Sequence, residues 1–242
     1  SPVVSFSGLA GPYCADASPV SLSGNPAGGN FSGNGISGNN FDPSAAGAGN
    51  HSIKYVFSDG NGCTDSSSQN VTVNALPVVD FSGLDTAYCV NGNDDLLSGN
   101  PSGGTFSGTG ISGNNFSPST AGVGNYPITY TFTDGNSCTN DTAISTNVYD
   151  APVVSFSGLA AGYCANAPAS ALTGNPGGGT FSGNGISGNN FYPSIAGIGT
   201  HTITYVYSDG NNCTNSSNQN VDVYSSPVVS FSGLAGPYCA DA

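Results

Sequence analysis

Seven cysteines fall into two series, Cys14, Cys89, Cys164 and Cys239, then Cys63, Cys138 and Cys213, and both series keep one constant interval, a 75-residue period. Thiols at fixed intervals serve either a metal or a disulfide framework. A metal site asks for clustered ligands, yet the chain has no Cys-x-x-Cys, and its two histidines, His51 and His201, stand apart from the cysteines in sequence. Disulfides are therefore expected, and with them an oxidising location outside the cytoplasm. The simplest pairing is within one 75-residue unit: Cys14–Cys63, Cys89–Cys138 and Cys164–Cys213. Each such bridge closes a loop of roughly 50 residues, worth roughly 4 kcal/mol in the chain-entropy model. Cys239 has no equivalent partner within the 242 residues, and the expectation is that the array continues.

Other residue types offer weaker chemistry. Asp59, Asp134 and Asp209 each open an Asp-Gly-Asn string. Such a string is either the start of a Ca²⁺ loop or a tight hairpin turn that needs φ > 0. The absence of any Glu removes the bidentate ligand of an EF-type loop and favours the turn. His51 and His201 have Tyr126 at the equivalent place in the middle unit, so a general base there would be missing from one copy in three. They read as exposed strand-start residues. No Gly-x-Ser-x-Gly is present, and strings such as Gly33-Asn34-Gly35 lack the following helix that makes a phosphate cradle. No catalytic residue and no cofactor is expected, and the chain reads as non-enzymatic.

Composition narrows the partners. The only basic side chain is Lys54, against fourteen acids that are all Asp, giving a net charge of −13. Without a basic patch there is no electrostatic footprint for nucleic acid or an anionic membrane. No run of 18 apolar residues exists to span a bilayer as a helix. With so few cations, lateral association between chains must use backbone edges, aromatics or neutral hydrogen bonds.

The elements that position these residues repeat with the same period. Pro2-Val-Val recurs at Pro77, Pro152 and Pro227, and residues 226–242 are identical to residues 1–17. This divides the chain into units 1–75, 76–151 and 152–226, with 227–242 read as the first strand of a further repeat. A donor strand completing a neighbouring subunit is the alternative for that last segment. Within a unit the apolar residues alternate, most clearly at Ile53, Tyr55 and Phe57, and again at Ile128, Tyr130, Phe132 and at Ile203, Tyr205, Tyr207. Gly, Asn and Pro mark the intervening turns, and no helical stripe of useful length appears. The fold class is all-β: a tandem array of small antiparallel immunoglobulin-like sandwiches with a 75-residue repeat and one disulfide each, a β-solenoid being the alternative. Linkers such as Val73-Asn74-Ala75-Leu76-Pro77 are short and contain Pro, which restricts hinging.

The blocks Phe31-Ser-Gly-Asn-Gly-Ile-Ser-Gly-Asn-Asn-Phe41 and Ile53-Lys-Tyr-Val-Phe-Ser-Asp-Gly-Asn-Gly-Cys63, both recurring in the other units, resemble the tandem Ig-like or PKD-like repeats of giant Bacteroidota surface proteins. These are exported by the type IX system and include gliding-motility adhesins. The resemblance implies an extracellular, cell-surface location and a stalk or filament role. Its implied partners are further repeats of the same chain, lateral copies of it, and surface glycans or other cells reached through a tip domain. A repeat that itself binds glycan or Ca²⁺ is the alternative. The resemblance also implies O-glycosylation at Thr86 and Thr142, each in an Asp-Thr-Ala string.

Overall fold

The computed structural model describes residues 3–233. The first repeat contains β1 (Ser5–Ser7), β2 (Tyr13–Cys14), β3 (Val20–Ser21), β4 (Ser23–Asn25), β5 (Asn30–Ser32), β6 (Ile36–Ser37) and β7 (Asn40–Phe41). A one-turn helix α1 (Pro43–Ala46) follows, then two long strands, β8 (Gly49–Ser58) and β9 (Thr64–Asn74). The same order returns in the second and third repeats, with long hairpins Gly124–Thr133/Thr139–Tyr149 and Gly199–Ser208/Thr214–Tyr224. In each repeat a four-stranded sheet, β2-β9-β8-β5 in the first, faces a three-stranded sheet, β3-β7-β6, and the pair β1-β4. The chain is thus an all-β tandem array of small sandwiches. The helix is too short to leave a periodic signal in sequence. Its N-terminus is set by Pro43 and capped by Asp42, whose Oδ1 accepts the Ser44 N–H at 2.9 Å.

The alternation in β8 does what a period of two requires. Ile53 and Tyr55 are fully buried, as are Ile128, Tyr130, Ile203 and Tyr205 in the other repeats. Phe57, at the same period, is only half-buried because it lies beside the hairpin tip. Tyr55 fixes the far side of the sandwich. Its hydroxyl donates to the Pro26 carbonyl at 2.6 Å and accepts the Gly29 N–H at 2.8 Å. Its ring packs against Phe31 at 4.6 Å between centroids, and Phe6 meets Phe31 edge-on at 5.4 Å. This approach needs glycine at position 24, because a Cβ there would lie 2.0 Å from the Tyr55 ring. Gly99 over Tyr130 and Gly174 over Tyr205 repeat the arrangement at the same distance.

Strand direction decides which residues share a pole of each sandwich. β8 and β9 are antiparallel and meet at their tip, Ser58 opposite Thr64. β2, by contrast, runs parallel to β9, with Tyr13 opposite Val73 and Cys14 opposite Asn74. Cys14 therefore sits where β9 ends and the linker departs, while Cys63 precedes the opposite end of that strand. Packing groups the chain into two compact units, residues 1–88 with 92–148, and residues 89–91 with 149–242. The first unit contains the first repeat and nearly all of the second. The second unit holds the third repeat with Cys89–Asn91.

The glycine over each tyrosine provides a test of the packing. Replacing Gly24, Gly99 and Gly174 together by Ala is expected to lower the thermal midpoint of the chain sharply, each overpacked ring costing about 1–3 kcal/mol. The same change at Gly60, Gly135 and Gly210, where a Cβ meets nothing within 4 Å, is expected to leave the midpoint nearly unchanged in the same calorimetric scan.

Candidate functional site: the bridged junctions between repeats

The Asp-Gly-Asn strings form hairpin tips, and their carboxylates bind their own loops. Asp134 Oδ1 accepts the N–H groups of Asn136 at 2.8 Å and Cys138 at 2.9 Å, while the Asp134 N–H donates to the Cys138 carbonyl at 2.9 Å. Asp59 holds Asn61 and Cys63, and Asp209 holds Asn211 and Cys213, through the same pair of bonds. The residue before each cysteine is left-handed, Gly62 at φ 78°, Ser137 at 64° and Asn212 at 63°, which turns the cysteine back toward the tip. The Cys138 N–H, followed by the amide groups of Asn136, holds the Asp134 carboxyl below the ordinary carboxylate range. As for the Ca²⁺ candidates Asp59, Asp134 and Asp209, each spends Oδ1 on its own turn. Among the described residues no group of three or more His, Cys, Asp or Glu side chains is gathered in a metal-holding cluster.

The first-series cysteines are presented by the opposite pole. Beyond Cys14 the chain stays tied to the end of β9 through the Ala15 N–H on the Asn74 carbonyl at 2.9 Å. Val90 on Tyr149 and Ala165 on Tyr224 repeat that bond at 2.8 Å. In the second repeat Tyr88, next to Cys89, donates its hydroxyl to Asp95 Oδ2 at 2.8 Å and accepts the Asp85 N–H at 2.8 Å. Burial pushes the Tyr88 phenol well above its ordinary value.

These two poles are joined covalently. Cys14 bridges Cys138 and Cys89 bridges Cys213, with Cα atoms 5.5 Å and 5.4 Å apart and a sequence separation of 124 residues each. The pairing expected from sequence, Cys14–Cys63, Cys89–Cys138 and Cys164–Cys213, is overturned. So is one disulfide confined to each repeat. The reason is where β2 pairs, against the last residues of β9. In one repeat the two cysteines lie at opposite ends of β9, about 33 Å of strand apart at about 3.3 Å per residue, far beyond the roughly 7 Å that a disulfide tolerates. The tip cysteine of the following repeat meets Cys14 instead. Cys138 and Cys213 are fully buried in these bridges, whereas their equivalent Cys63 is exposed. Among the described residues Cys63 and Cys164 carry free thiols, and Cys239 lies outside them.

Neutral groups line the surroundings. In the first unit a polar cleft of about 440 Å³ runs between Leu9–Pro12, the end of β9 and Asn136 of the next hairpin tip. In the second, Asn91 Nδ2 donates to the Thr214 carbonyl at 3.1 Å.

The remaining candidate residues lie elsewhere. His51 Nε2 is 2.7 Å from the Gly47 carbonyl just past α1, and His201 Nε2 is 2.8 Å from that of Gly197. A carbonyl only accepts, so both rings carry the proton on Nε2. Tyr126 places its hydroxyl on the Ala121 carbonyl at 2.8 Å, which explains why His and Tyr exchange at this position: each supplies one donor to the end of the short helix. His51 is half-buried rather than exposed as its position at a strand start suggested. Thr86 is exposed in the loop before Cys89, and Thr142 is half-buried within a long strand opposite Tyr130.

No family model and no curated protein matches the chain. Solved structures do resemble it. A Ca²⁺-stabilized adhesin that helps an Antarctic bacterium reach out and bind ice is 15% identical, over 94% of this chain and 75% of its own, with a TM-score of 0.33. A structure from a 1.5-MDa bacterial ice-binding adhesin is 15% identical, over 92% of this chain and 98% of its own, with a TM-score of 0.31. Drosophila N-cadherin EC1–4 is 11% identical, over 93% and 75%, with a TM-score of 0.27. Likenesses this shallow say nothing of ligand or partner.

Cleavage before aspartate separates every cysteine into its own peptide, so the pairing is directly measurable. Without reductant, peptide 1–15 is expected to remain joined to 134–140, and 85–93 to 209–221; recovery of 1–15 joined to 59–64 would restore the intra-repeat pairing. Acid is expected to loosen the second hairpin tip. Because the Asp134 carboxyl is lowered in the folded chain, its contribution is complete above the unfolded value of about 3.9 and is lost as pH falls through the folded one. The thermal midpoint should thus decline below about pH 4, and Asp134→Asn should flatten part of that decline.

Proposed function

We propose that the chain is a non-enzymatic structural segment, the stalk or filament portion of a long extracellular adhesin or fibre, built to hold its repeats together. The observation that carries this reading is the pair of disulfides from the end of one repeat to the hairpin tip of the next. Stable bridges belong to an oxidising compartment, in keeping with a location outside the cell, at its surface. A chain with one cation, whose repeats are joined by covalent bridges, is suited to holding distance. The resemblance of its repeats to Bacteroidota surface proteins points the same way, with the adhesive tip elsewhere in the protein.

We read the repeat boundaries as 1–75, 76–151 and 152–226, a division that the recurrence of β1 through β9 supports, within an array that continues at both poles. Exposed Cys63 and Cys164 are then open halves of further bridges, to a preceding and a following repeat. The segment from Pro227 supports this. Phe231 is 83% exposed, while its equivalents Phe6, Phe81 and Phe156 are 5–6% exposed beneath their own sandwiches. Segment 227–233 forms no strand within the described residues, and the remainder of a fourth repeat would cover it.

The polar junction cleft favours a second role, capture of a neutral glycan by Asn70, Thr72, Asn74 and Asn136. Antibodies against the chain are expected to decorate extended material outside intact, unpermeabilised source cells in electron micrographs. Label confined to the cell interior would overturn the structural reading, and saturable binding of neutral oligosaccharides to the purified chain would favour the second.

A further inference from the structure

The bridges change which parts of the chain bear tension. Without them, a pull from one repeat to another passes through every residue in series. Between Cys14 and Cys164 that path takes in two whole repeats. With Cys14 bonded to Cys138, the path leaves the backbone at Cys14, crosses the disulfide and needs only the short segment Cys138–Cys164. That segment comprises the last strand of the second repeat, the linker and the first two strands of the third. A second lane is offset by one repeat: the equivalent segment Cys63–Cys89, then the bridge to Cys213. Each bridge together with the segment that follows it therefore advances a lane by two repeats.

What the lanes bypass is equally defined. The longer stretches Cys14–Cys63, Cys89–Cys138 and Cys164–Cys213 contain the three-stranded sheets, the short helices and the first strand of each long hairpin. They include Leu22, Phe41, Ile53 and Tyr55 and their equivalents, the bulk of each core. These stretches are side loops between lanes, and a core held in a side loop is not drawn out when the lane is pulled.

We infer that the inter-repeat disulfides act as a mechanical bypass, a pair of staggered covalent lanes that carry tension past the folded core of each repeat and cap how far the array can lengthen. This deepens the reading of the chain as a structural segment by naming what it resists. A bridge confined to one repeat would shorten the path through that repeat and leave every linker carrying load alone. The crossed pairing instead spans each bridged linker, so a broken linker does not part the array.

Single-molecule stretching of the full chain measures the path directly. Substituting Cys63→Ser and Cys239→Ser leaves Cys164 as the single free thiol for one handle, with the other at the N-terminus, and touches neither bridge. The oxidised tether is expected to stop at the length of roughly 39 residues, about 135 Å at 3.3–3.6 Å per residue. In reducing buffer it should extend about fourfold, to the roughly 560 Å of about 163 residues. Adding Cys14→Ser and Cys138→Ser removes the first lane alone, and the limit should rise to about 137 residues, roughly 470 Å. The limit is covalent, and cleavage before aspartate checks that each variant keeps the bridge it is meant to keep. An oxidised tether that extends as far as the reduced one would overturn the bypass. The location of the protein on the cell is a separate measurement, so the two readings fail separately.

Discussion

A two-residue pairing governs the molecule: β2 lies alongside the end of β9 and runs in the same direction. Had β2 returned antiparallel from the other end of the sheet, its cysteine would have reached the hairpin tip of its own repeat and each sandwich would have been a closed, self-sufficient unit. Pairing with the last two residues of β9 instead puts that cysteine at the far pole and leaves each repeat with one half-bridge at each end. The repeats are therefore chemically incomplete singly and complete as neighbours, although each has a core of its own. In the chain-entropy model a bridge closing 124 residues restricts the unfolded chain by about 5 kcal/mol, a substantial contribution for sandwiches of this size.

The local features serve that geometry. Each aspartate at a hairpin tip gives up its carboxylate to two backbone N–H groups and so fixes the backbone of the cysteine four residues on. At the other end, continuation of the β2 ladder by one more backbone bond ties down the chain after the first-series cysteine. Between the poles, the tyrosine beneath its glycine locks the two faces together through hydroxyl bonds to the turn at Pro26–Gly29. Only neutral groups and turn-bound carboxylates are involved, which suits a chain whose single cation, Lys54, is exposed on β8.

Much of this was legible in the residues. The period, the all-β class, the buried face of β8 and the turn role of Asp-Gly-Asn follow from spacing and turn chemistry. The disulfide partners do not. Cys14–Cys63 and Cys14–Cys138 differ by one repeat, so a periodic sequence presents both equally. The choice rests on where β2 docks along β9, and β2 is a strand of two residues with no alternation to reveal its neighbour. The short helix was hidden for a related reason, a single turn being shorter than any helical period. The role common to His51, Tyr126 and His201, a donor to a carbonyl at the end of the short helix, was signalled only by their exchange at one position, which disfavoured catalysis without disclosing the bond.

The wide sequence separation of each bridge also bears on the order of oxidation as the chain enters an oxidising compartment. When Cys63 emerges, Cys14 is already present, and an oxidant that joined thiols in order of appearance would couple those two. The correct partner, Cys138, lies 124 residues further along the chain. In the folded first repeat that bond is out of reach, since pairing β2 with β9 holds the two early thiols at opposite ends of the sheet. A folded sandwich thus keeps its own two cysteines apart and leaves each to a neighbour, so that correct pairing follows from folding before oxidation.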